Sequence, residues 1–253
     1  MREFLDISQF LGMPDRAAAH AAEIDFMMSL VHWLMALLFV GWGAYFIYVL
    51  FRFRRGRNPV ANYDGADGKW SKYQEMGVIL AEAALLVGFA FPLYGFIKND
   101  FPTAQDAPFR VDVVAEQFAW NVHYPGEDGE FGRRVPELVD TVRNPLGLDD
   151  SDPASADDVV SVNELHLPVD RPVILNLSSK DVIHSFGVPQ LRVKQDAIPG
   201  LIIPMWFRPN VEGEYEIACA QLCGLSHYRM KGYVTVESEE AVQAFLDDLR
   251  GTL

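Results

Sequence analysis

Two long apolar stretches constrain how this chain can fold. The first runs from Phe26 to Phe51, about 26 residues without any Asp, Glu, Lys or Arg. The second runs from Met76 to Ile97, about 22 residues with one acid, Glu82. A helix of about 20 apolar residues crosses the hydrocarbon core of a bilayer, so both stretches predict membrane spans. The long acidic stretch before the first span, with no small-residue cleavage site after a short apolar core, argues against a signal peptide.

Charge in the connecting loop predicts how the two spans are oriented. Basic clusters next to membrane spans stay on the cytoplasmic side. Both termini then lie on the external side of a bacterial-type plasma membrane. The sequence therefore predicts an N-terminal segment and hairpin at 1–98, with spans at about 26–51 and 76–97, and an external domain at 99–253. The basic residues of the loop are Arg52, Arg54, Arg55, Arg57, Lys69 and Lys72.

The external domain has the pattern of a β-structure. Short segments rich in Val, Ile, Phe and Tyr alternate with Pro, Gly or Asp, which indicates a sandwich or a barrel. After them, apolar residues recur at helical spacing from Glu239 to Arg250 and predict a C-terminal amphipathic helix. The predicted strand segments are 109–124, 159–167, 173–178, 191–195, 201–207, 215–218 and 232–237.

The external domain also carries the whole excess of negative charge. Residues 99–253 contain 12 Lys and Arg against 26 Asp and Glu, whereas residues 1–98 contain nine of each. Such a surface can attract a basic partner, but it also serves solubility or adaptation to high salt, and both interpretations stay open. Much of the acid lies in a predicted surface loop between Glu127 and Asp158. The sequence contains no phosphate-binding loop and no basic nucleic-acid patch.

The two cysteines of the chain lie in a short run with other soft ligands. Cys219 and Cys223 are four residues apart, His227 follows four residues later and Met230 three beyond that. Thiolate, imidazole and thioether groups together suit copper better than a hard cation. The sequence therefore predicts a copper site, which the upstream His184 could close.

Other uses of the cysteine pair fit this run less well. A disulfide across four residues forms only in some backbone geometries. A structural zinc would leave Met230 with no role beyond packing. A redox switch has the shorter C-x-x-C spacing, and a blue-copper site uses one cysteine. The second cysteine instead favours two bridging thiolates that hold two coppers, with one histidine on each.

These features together resemble a known family, subunit II of the haem–copper cytochrome c oxidases. The two spans, the β-domain, D-V-I-H184-S-F and the run C-x-x-x-C-x-x-x-H-x-x-M carry the resemblance, with Asp196-Ala-Ile-Pro-Gly200 and Gln117-Phe-Ala-Trp120 beside them. It implies a two-helix transmembrane hairpin followed by an all-β cupredoxin-like barrel with a C-terminal helix. The barrel would hold the binuclear copper centre called CuA.

The resemblance also implies a role for each ligand. Two thiolates would bridge the coppers, each histidine would bind one copper, and a thioether and a backbone carbonyl would be weak ligands. Gln221 stands where the family has a glutamate that helps bind magnesium, and a neutral amide is a weaker ligand for a hard cation. This argues against the magnesium contact. The implied copper ligands are Cys219 and Cys223, His184 and His227, Met230 and the carbonyl of Gln221.

Three further residues gain roles from the resemblance. Phe118 stands where the family has a tryptophan proposed as the entry point for electrons, and Trp120 is the second aromatic residue of that motif. Glu75, at the cytoplasmic start of the second span, resembles in placement the acid that opens a proton pathway. A plain favourable interaction with the dipole of the helix N-terminus explains Glu75 equally well.

The implied function is electron entry into a terminal oxidase. The CuA centre would accept electrons from an external donor such as cytochrome c and pass them to haem in subunit I. Oxygen would be reduced there and protons pumped, with other oxidase subunits and the membrane as further partners. No residue of this chain is predicted to be catalytic, because every ligand position of the copper site is filled.

Three other functions share some of these sequence features. A membrane-anchored copper-delivery protein is the alternative, although such proteins exchange metal through open sites. Nitrous-oxide reductase has a similar copper domain but lacks the hairpin. A quinol oxidase subunit II has the same membrane hairpin and β-domain but lacks the copper ligands.

Overall fold

The computed structural model describes residues 2–60, 63 and 68–251. The chain divides into two compact units, a helical unit of Met1–Met13 and Glu23–Phe96 and a β unit of Pro14–Ala22 and Ile97–Leu253. Part of the basic loop that predicts the orientation, residues 61–62 and 64–67, lies outside the described residues.

The helical unit is built around two long apolar helices. Both are long and apolar enough to cross a membrane, and their apolar windows are not buried within the chain. The predicted spans at about 26–51 and 76–97 lie inside them. A π-helical turn at Leu86–Ala90 precedes Pro92, whose missing N–H cannot continue the α-helical ladder. The helices are α1 Arg2–Leu5, α2 Ala21–Arg52, α3 Lys69–Leu85 and, after the π turn, α4 Phe91–Asn99.

The β unit is a sandwich of two five-stranded sheets, which confirms the predicted all-β domain. One sheet has the order β3-β2-β1-β5-β8 and the other β4-β10-β9-β6-β7. The pairs β1–β5 and β4–β10 are parallel and the other pairs are antiparallel. The strands are β1 Phe109–Glu116, β2 Ala119–Tyr124, β3 Val159–Val162, β4 Glu164–Pro168, β5 Val173–Ser179, β6 His184–Val188, β7 Val193–Ala197, β8 Ile203–Phe207, β9 Gly213–Cys219 and β10 Lys231–Glu237.

A single apolar core lies between the two sheets. Its largest fully buried side chains are aromatic, Trp120 and Tyr124 from one sheet and Phe186 from the other. Burying a large apolar side chain stabilises a fold by about 1.5–3 kcal/mol. The predicted C-terminal helix, α5 Glu239–Gly251, closes one side of this core with Val242 and Leu246.

A short segment from before the first span packs with the β unit. Ala17 and Ala18 are buried in its core. The Ala17 N–H donates to the carbonyl of Gln190 at 2.9 Å, and the Asn210 N–H donates to the carbonyl of Ala17 at 3.0 Å. The domain that carries the cysteines is therefore assembled from both sides of the hairpin in sequence.

The acidic stretch between β2 and β3 is attached to the sheet at its C-terminal end. Asp158 is buried, and its carboxylate lies 2.6 Å from Nε2 of the buried His123. The same carboxylate accepts hydrogen bonds from the backbone N–H groups of Gly126 and Gly132. One acid of the stretch thus fixes where this long loop leaves and rejoins the sandwich.

Candidate metal centre

The register of three neighbouring strands brings the predicted ligands together. His184 begins β6 and Cys219 ends β9. Phe186 is paired with Cys219 across these two strands. Met230 immediately precedes β10, and its carbonyl accepts the Cys219 N–H at 3.3 Å. The loop from 220 to 230 connects β9 to β10, so it lies at the end of the sandwich where Cys219 and Met230 meet.

Four of the predicted ligand atoms form a compact cluster, buried except for the half-buried Cys219. Sγ of Cys219 lies 3.8 Å from Sγ of Cys223, and both residues are free thiols. Nδ1 of His184 is 3.2 Å from Sδ of Met230 and 3.9 Å from Sγ of Cys219. The nitrogen and the two thiol sulfurs all lie within 4.8 Å of one another. These side chains form a candidate copper site, because their soft donors match that metal.

The two remaining predicted ligands lie against the same cysteines. Nδ1 of His227, in a 3₁₀ turn, is 3.6 Å from Sγ of Cys223. The carbonyl oxygen of Gln221 is 3.2 Å from Sγ of Cys219. Each cysteine therefore has a histidine nitrogen nearby, as two metal ions bridged by two thiolates would require. The donor set fits a binuclear copper group.

The surroundings of Cys223 hold its thiol in the protonated form when no metal is bound. Burial raises the pKa of Cys223 to about 11, and the neighbouring Cys219 adds to this effect. Metal ligation requires the thiolate, so binding would release a proton from this side chain.

Asp181 determines which nitrogen of His184 faces the sulfurs. Its Oδ1 lies 2.9 Å from Nε2 of His184, which can donate its N–H there and leave Nδ1 available as a ligand. Partial burial alone would raise the pKa of Asp181, but hydrogen bonds from His184 and from the backbone of Gln117 and Val182 lower it overall. The carboxylate is thereby kept as an acceptor for the imidazole.

Two other neighbours of His184 in the sequence have different surroundings. Phe186 is buried and packs edge-on against Trp120, with ring centroids 5.7 Å apart. Oγ of Ser185 is buried and has no hydrogen-bond partner among the residues the structure describes. Of the three sequence neighbours Asp181, Ser185 and Phe186, Asp181 is therefore the one whose side chain contacts the imidazole directly.

The structure places the two aromatic residues of the predicted electron entry at different depths. Phe118 lies in the turn between β1 and β2 and is half-buried. Trp120 is fully buried, and its ring centroid is 6.2 Å from that of His184. Trp120 thus contacts a candidate ligand from inside the core, whereas Phe118 retains an exposed edge.

Glu75 belongs to the helical unit and lies in the second turn of α3. Its carboxylate is exposed and accepts a hydrogen bond from Oγ of Ser71 at 3.2 Å. Since Ser71 is one turn nearer the helix start, the contact is local to this helix. The role of Glu75 in proton uptake stays a prediction.

The loop from 220 to 230, called the copper loop below, exposes several large apolar side chains. Leu222 is 79% exposed, Leu225 96% and Tyr228 82%. Exposed apolar clusters of this kind mark surfaces that contact other molecules. The copper loop therefore has a buried face made of ligands and an outer face suited to a partner.

Sequence reasoning did not identify one neighbour of the site, Gln117. Its side-chain Nε2 donates to the carbonyl of Cys223 at 2.6 Å, and its backbone N–H donates to Asp181 at 2.7 Å. The sequence places Gln117 beside Phe118, but no local pattern connects it with a loop more than 100 residues away.

Comparison with known proteins identifies relatives of the whole chain. A family model for the periplasmic domain of cytochrome c oxidase subunit II matches residues 111–238, a range that contains all six predicted copper ligands. The alternative cytochrome c oxidase subunit 2 of Bradyrhizobium diazoefficiens is 32% identical over 231 residues, covering 91% of this chain and 81% of the relative. Cytochrome c oxidase subunit 2 of Cereibacter sphaeroides is 29% identical over 256 residues, covering 95% of this chain and 80% of the relative.

Solved structures are also similar to part of the chain. One of them is the periplasmic domain of subunit II of cytochrome oxidase from Bradyrhizobium japonicum, with a TM-score of 0.42 and 24% identity. The alignment covers 57% of this chain and 94% of that domain.

Proposed function

This chain belongs to the cytochrome c oxidase subunit II family, and we propose that it is the subunit through which electrons enter a terminal oxidase at a binuclear CuA centre. The observation that carries the proposal is the pair of free thiols 3.8 Å apart with a histidine nitrogen near each. The chain is a membrane-anchored subunit of a haem–copper oxidase, an oxidoreductase complex. The finer roles below follow from its ligand geometry and charge.

The side chains of the site are arranged to hold a metal pair rigidly. Two bridged coppers, when bound, supply one-electron transfer. Asp181 fixes the imidazole of His184, and the core packing of Trp120 against that ring keeps water from one side of the site. Since Cys223 and Met230 are only 3% exposed, substrate cannot reach these ligands. The protein supports electron transfer rather than chemistry on a bound molecule.

Electrons would come from an external donor such as cytochrome c and leave to haem in subunit I. The half-buried Phe118 is the proposed contact with the donor, and the buried Trp120 packs against His184. The exposed apolar face of the copper loop suits a packed contact with another oxidase subunit. Both termini and the β unit would lie on the external side, since the basic loop between the spans favours the cytoplasm.

Two further roles concern protons and magnesium. Glu75, exposed in the second turn of α3, is the proposed entrance of a proton pathway shared with subunit I. Gln221 offers a neutral amide where a hard cation would favour a carboxylate, so we expect no strong magnesium contact at this residue. The backbone carbonyl of Gln221 remains available to copper.

The copper-delivery alternative is less compatible with the site. A protein that hands copper to a partner exposes its ligands, and here His184, Cys223 and Met230 are all buried. Release would require the loop from 220 to 230 to open. We therefore favour a resident copper group.

Metal content and electron paramagnetic resonance of the full chain test the proposed function. The full chain is used because residues 14–22 pack into the β unit. After purification in detergent and loading with copper, we expect two coppers per chain and an unpaired spin shared by both nuclei. One copper with an ordinary four-line spectrum would contradict the proposal.

A Cys223→Ser variant tests the bridging role. A hydroxyl is a harder and weaker donor for copper than a thiolate, so the shared-spin spectrum should disappear. Cys223 would not be a bridge if the variant kept this spectrum.

A further inference from the structure

Gln117 contacts both sides of the candidate copper centre. Its side-chain Nε2 donates to the carbonyl oxygen of Cys223 at 2.6 Å. Its backbone N–H donates to Oδ2 of Asp181 at 2.7 Å, and Oδ1 of the same carboxylate lies 2.9 Å from Nε2 of His184. One residue in the turn between β1 and β2 is therefore connected to a cysteine ligand by its side chain and to a histidine ligand by its backbone.

Among the described residues, the backbone hydrogen bonds that join the loop of Cys223 to the sheet lie at its two ends, and one of them runs from the Cys219 N–H to the carbonyl of Met230 at 3.3 Å. The Ala220 N–H donates to the carbonyl of Ser185 at 2.9 Å, at the point where the loop leaves β9. Beyond it, the His227 N–H donates to Gly224, and the Met230 N–H donates to His227. These later bonds stay within the loop. The amide of Gln117 thus holds the middle of the loop against the rest of the domain.

Close packing at Gly224 shows that this attachment is tight. Gly224 has φ +139°, and a Cβ at this position would lie 2.7 Å from Nε2 of Gln117 and 3.2 Å from the ring of Phe118. A contact of 2.7 Å is closer than real Cβ atoms make, so a methyl group here would displace the amide of Gln117. The φ of +139° also favours glycine, because an L side chain is strained in this backbone conformation.

We propose that Gln117 is a positioning residue for the copper centre. Its side-chain amide fixes the peptide unit of Cys223 and hence the direction of that thiolate. Its backbone N–H holds Asp181, which orients His184. This inference rests on the proposed function, because it assigns Gln117 to the same copper ligands. Gln117 need not touch the metal, since both effects pass through residues that do.

A Gln117→Met variant removes the side-chain contact and preserves the length of the side chain. The carbonyl of Cys223 then loses its donor, whereas the backbone contact with Asp181 remains. Loss of one such hydrogen bond changes an equilibrium by about tenfold. We expect copper release to a chelator to become about tenfold faster and the copper hyperfine pattern in the paramagnetic resonance spectrum to change.

A matched glutamine provides the control. Gln243 lies exposed on α5, and its Nε2 donates to Asp247 at 3.1 Å. The same substitution there, Gln243→Met, should leave the release rate and the spectrum unchanged. Circular dichroism of the metal-free chains then shows whether the Gln117→Met protein keeps its fold.

A second variant tests the contact from the side of the loop. Gly224→Ala places a methyl group against the amide of Gln117 and strains the backbone at φ +139°, so it should also accelerate copper release and change the spectrum. Wild-type release rates and spectra in both variants would overturn the proposal while leaving the two-copper function intact. A wild-type chain that fails to bind two coppers would instead contradict the proposed function.

Discussion

At the scale of single residues, the chemistry of the site depends on hydrogen bonds just outside the ligands. A histidine can bind a metal through either ring nitrogen, and the partner of the other nitrogen decides which one is used. Here the carboxylate of Asp181 lies within hydrogen-bond distance of Nε2 of His184, so Nδ1 faces the sulfurs of Cys219 and Met230. The sequence places Asp181 three residues before His184, but only the bend before β6 turns the carboxylate back onto the ring.

We expect an Asp181→Ala variant to bind copper more weakly. Without the carboxylate, the ring of His184 can rotate and its Nδ1 becomes a poorer donor. Loss of such a partner lowers metal affinity by about 10–100-fold. Competition with a chelator of known affinity measures this change.

Removal of an unrelated exposed acid controls for net charge. Asp248→Ala makes the same change in charge at an exposed position of α5, which packs mainly against β3 and β4 rather than against the strands of the ligands, and should leave copper affinity unaltered. Equal affinities in the Asp181→Ala and wild-type chains would mean that the carboxylate does not orient His184.

At the scale of elements, local patterns predicted some parts of the fold well and others poorly. The two spans and α5 follow from apolar length and helical spacing, which are properties of contiguous residues. The predicted segment 109–124 is in fact two strands, because the chain reverses at Gln117–Phe118 without any Pro or Gly between β1 and β2. Strand β6 was not among the predicted segments, since its five residues mix polar and apolar side chains.

The segment before the first span is an element that local patterns did not assign to the β unit. We expect Ala17→Asp to destabilise that unit by about 3 kcal/mol or more, because it buries an unpaired carboxylate in the core. Ala19 is exposed two residues later, so Ala19→Asp should have little effect. Denaturant unfolding of the two full-length variants, followed by circular dichroism, distinguishes them. Equal stability of both variants would show that the segment does not contribute to the core.

At the scale of the whole molecule, the charge is distributed unevenly along the chain. The excess of acid lies entirely after residue 98, and Asp158 is one of the few members of the acidic stretch that is buried. Exposed charges act on a partner over about 10 Å at 0.1 M salt and about 30 Å at 0.01 M. The acidic surface can therefore steer a basic electron donor only when the salt concentration is low.

We expect reduction of the copper-loaded chain by a basic cytochrome c to slow as salt rises. Between 0.01 and 0.1 M salt, the second-order rate should fall about tenfold, since screening removes the long-range attraction. Stopped-flow absorbance measures this rate. Hydroquinone, an uncharged reductant, provides the control and should show little salt dependence. A flat response with cytochrome c would favour solubility or salt adaptation as the role of the acidic surface.

The sequence by itself determined the membrane spans, the β-rich class of the external domain and the identity of the soft ligands. These features depend on the length of apolar runs and on residue types that lie close together along the chain. The tertiary structure decided how His184, 35 residues before Cys219, meets the cysteines, and how Gln117 reaches Cys223 across 106 residues. Such contacts depend on strand register between distant segments, which no local pattern encodes. For that reason the copper ligands and their sequence neighbour Asp181 could be predicted from the sequence, whereas the contact of Gln117 with the loop of Cys223 could not.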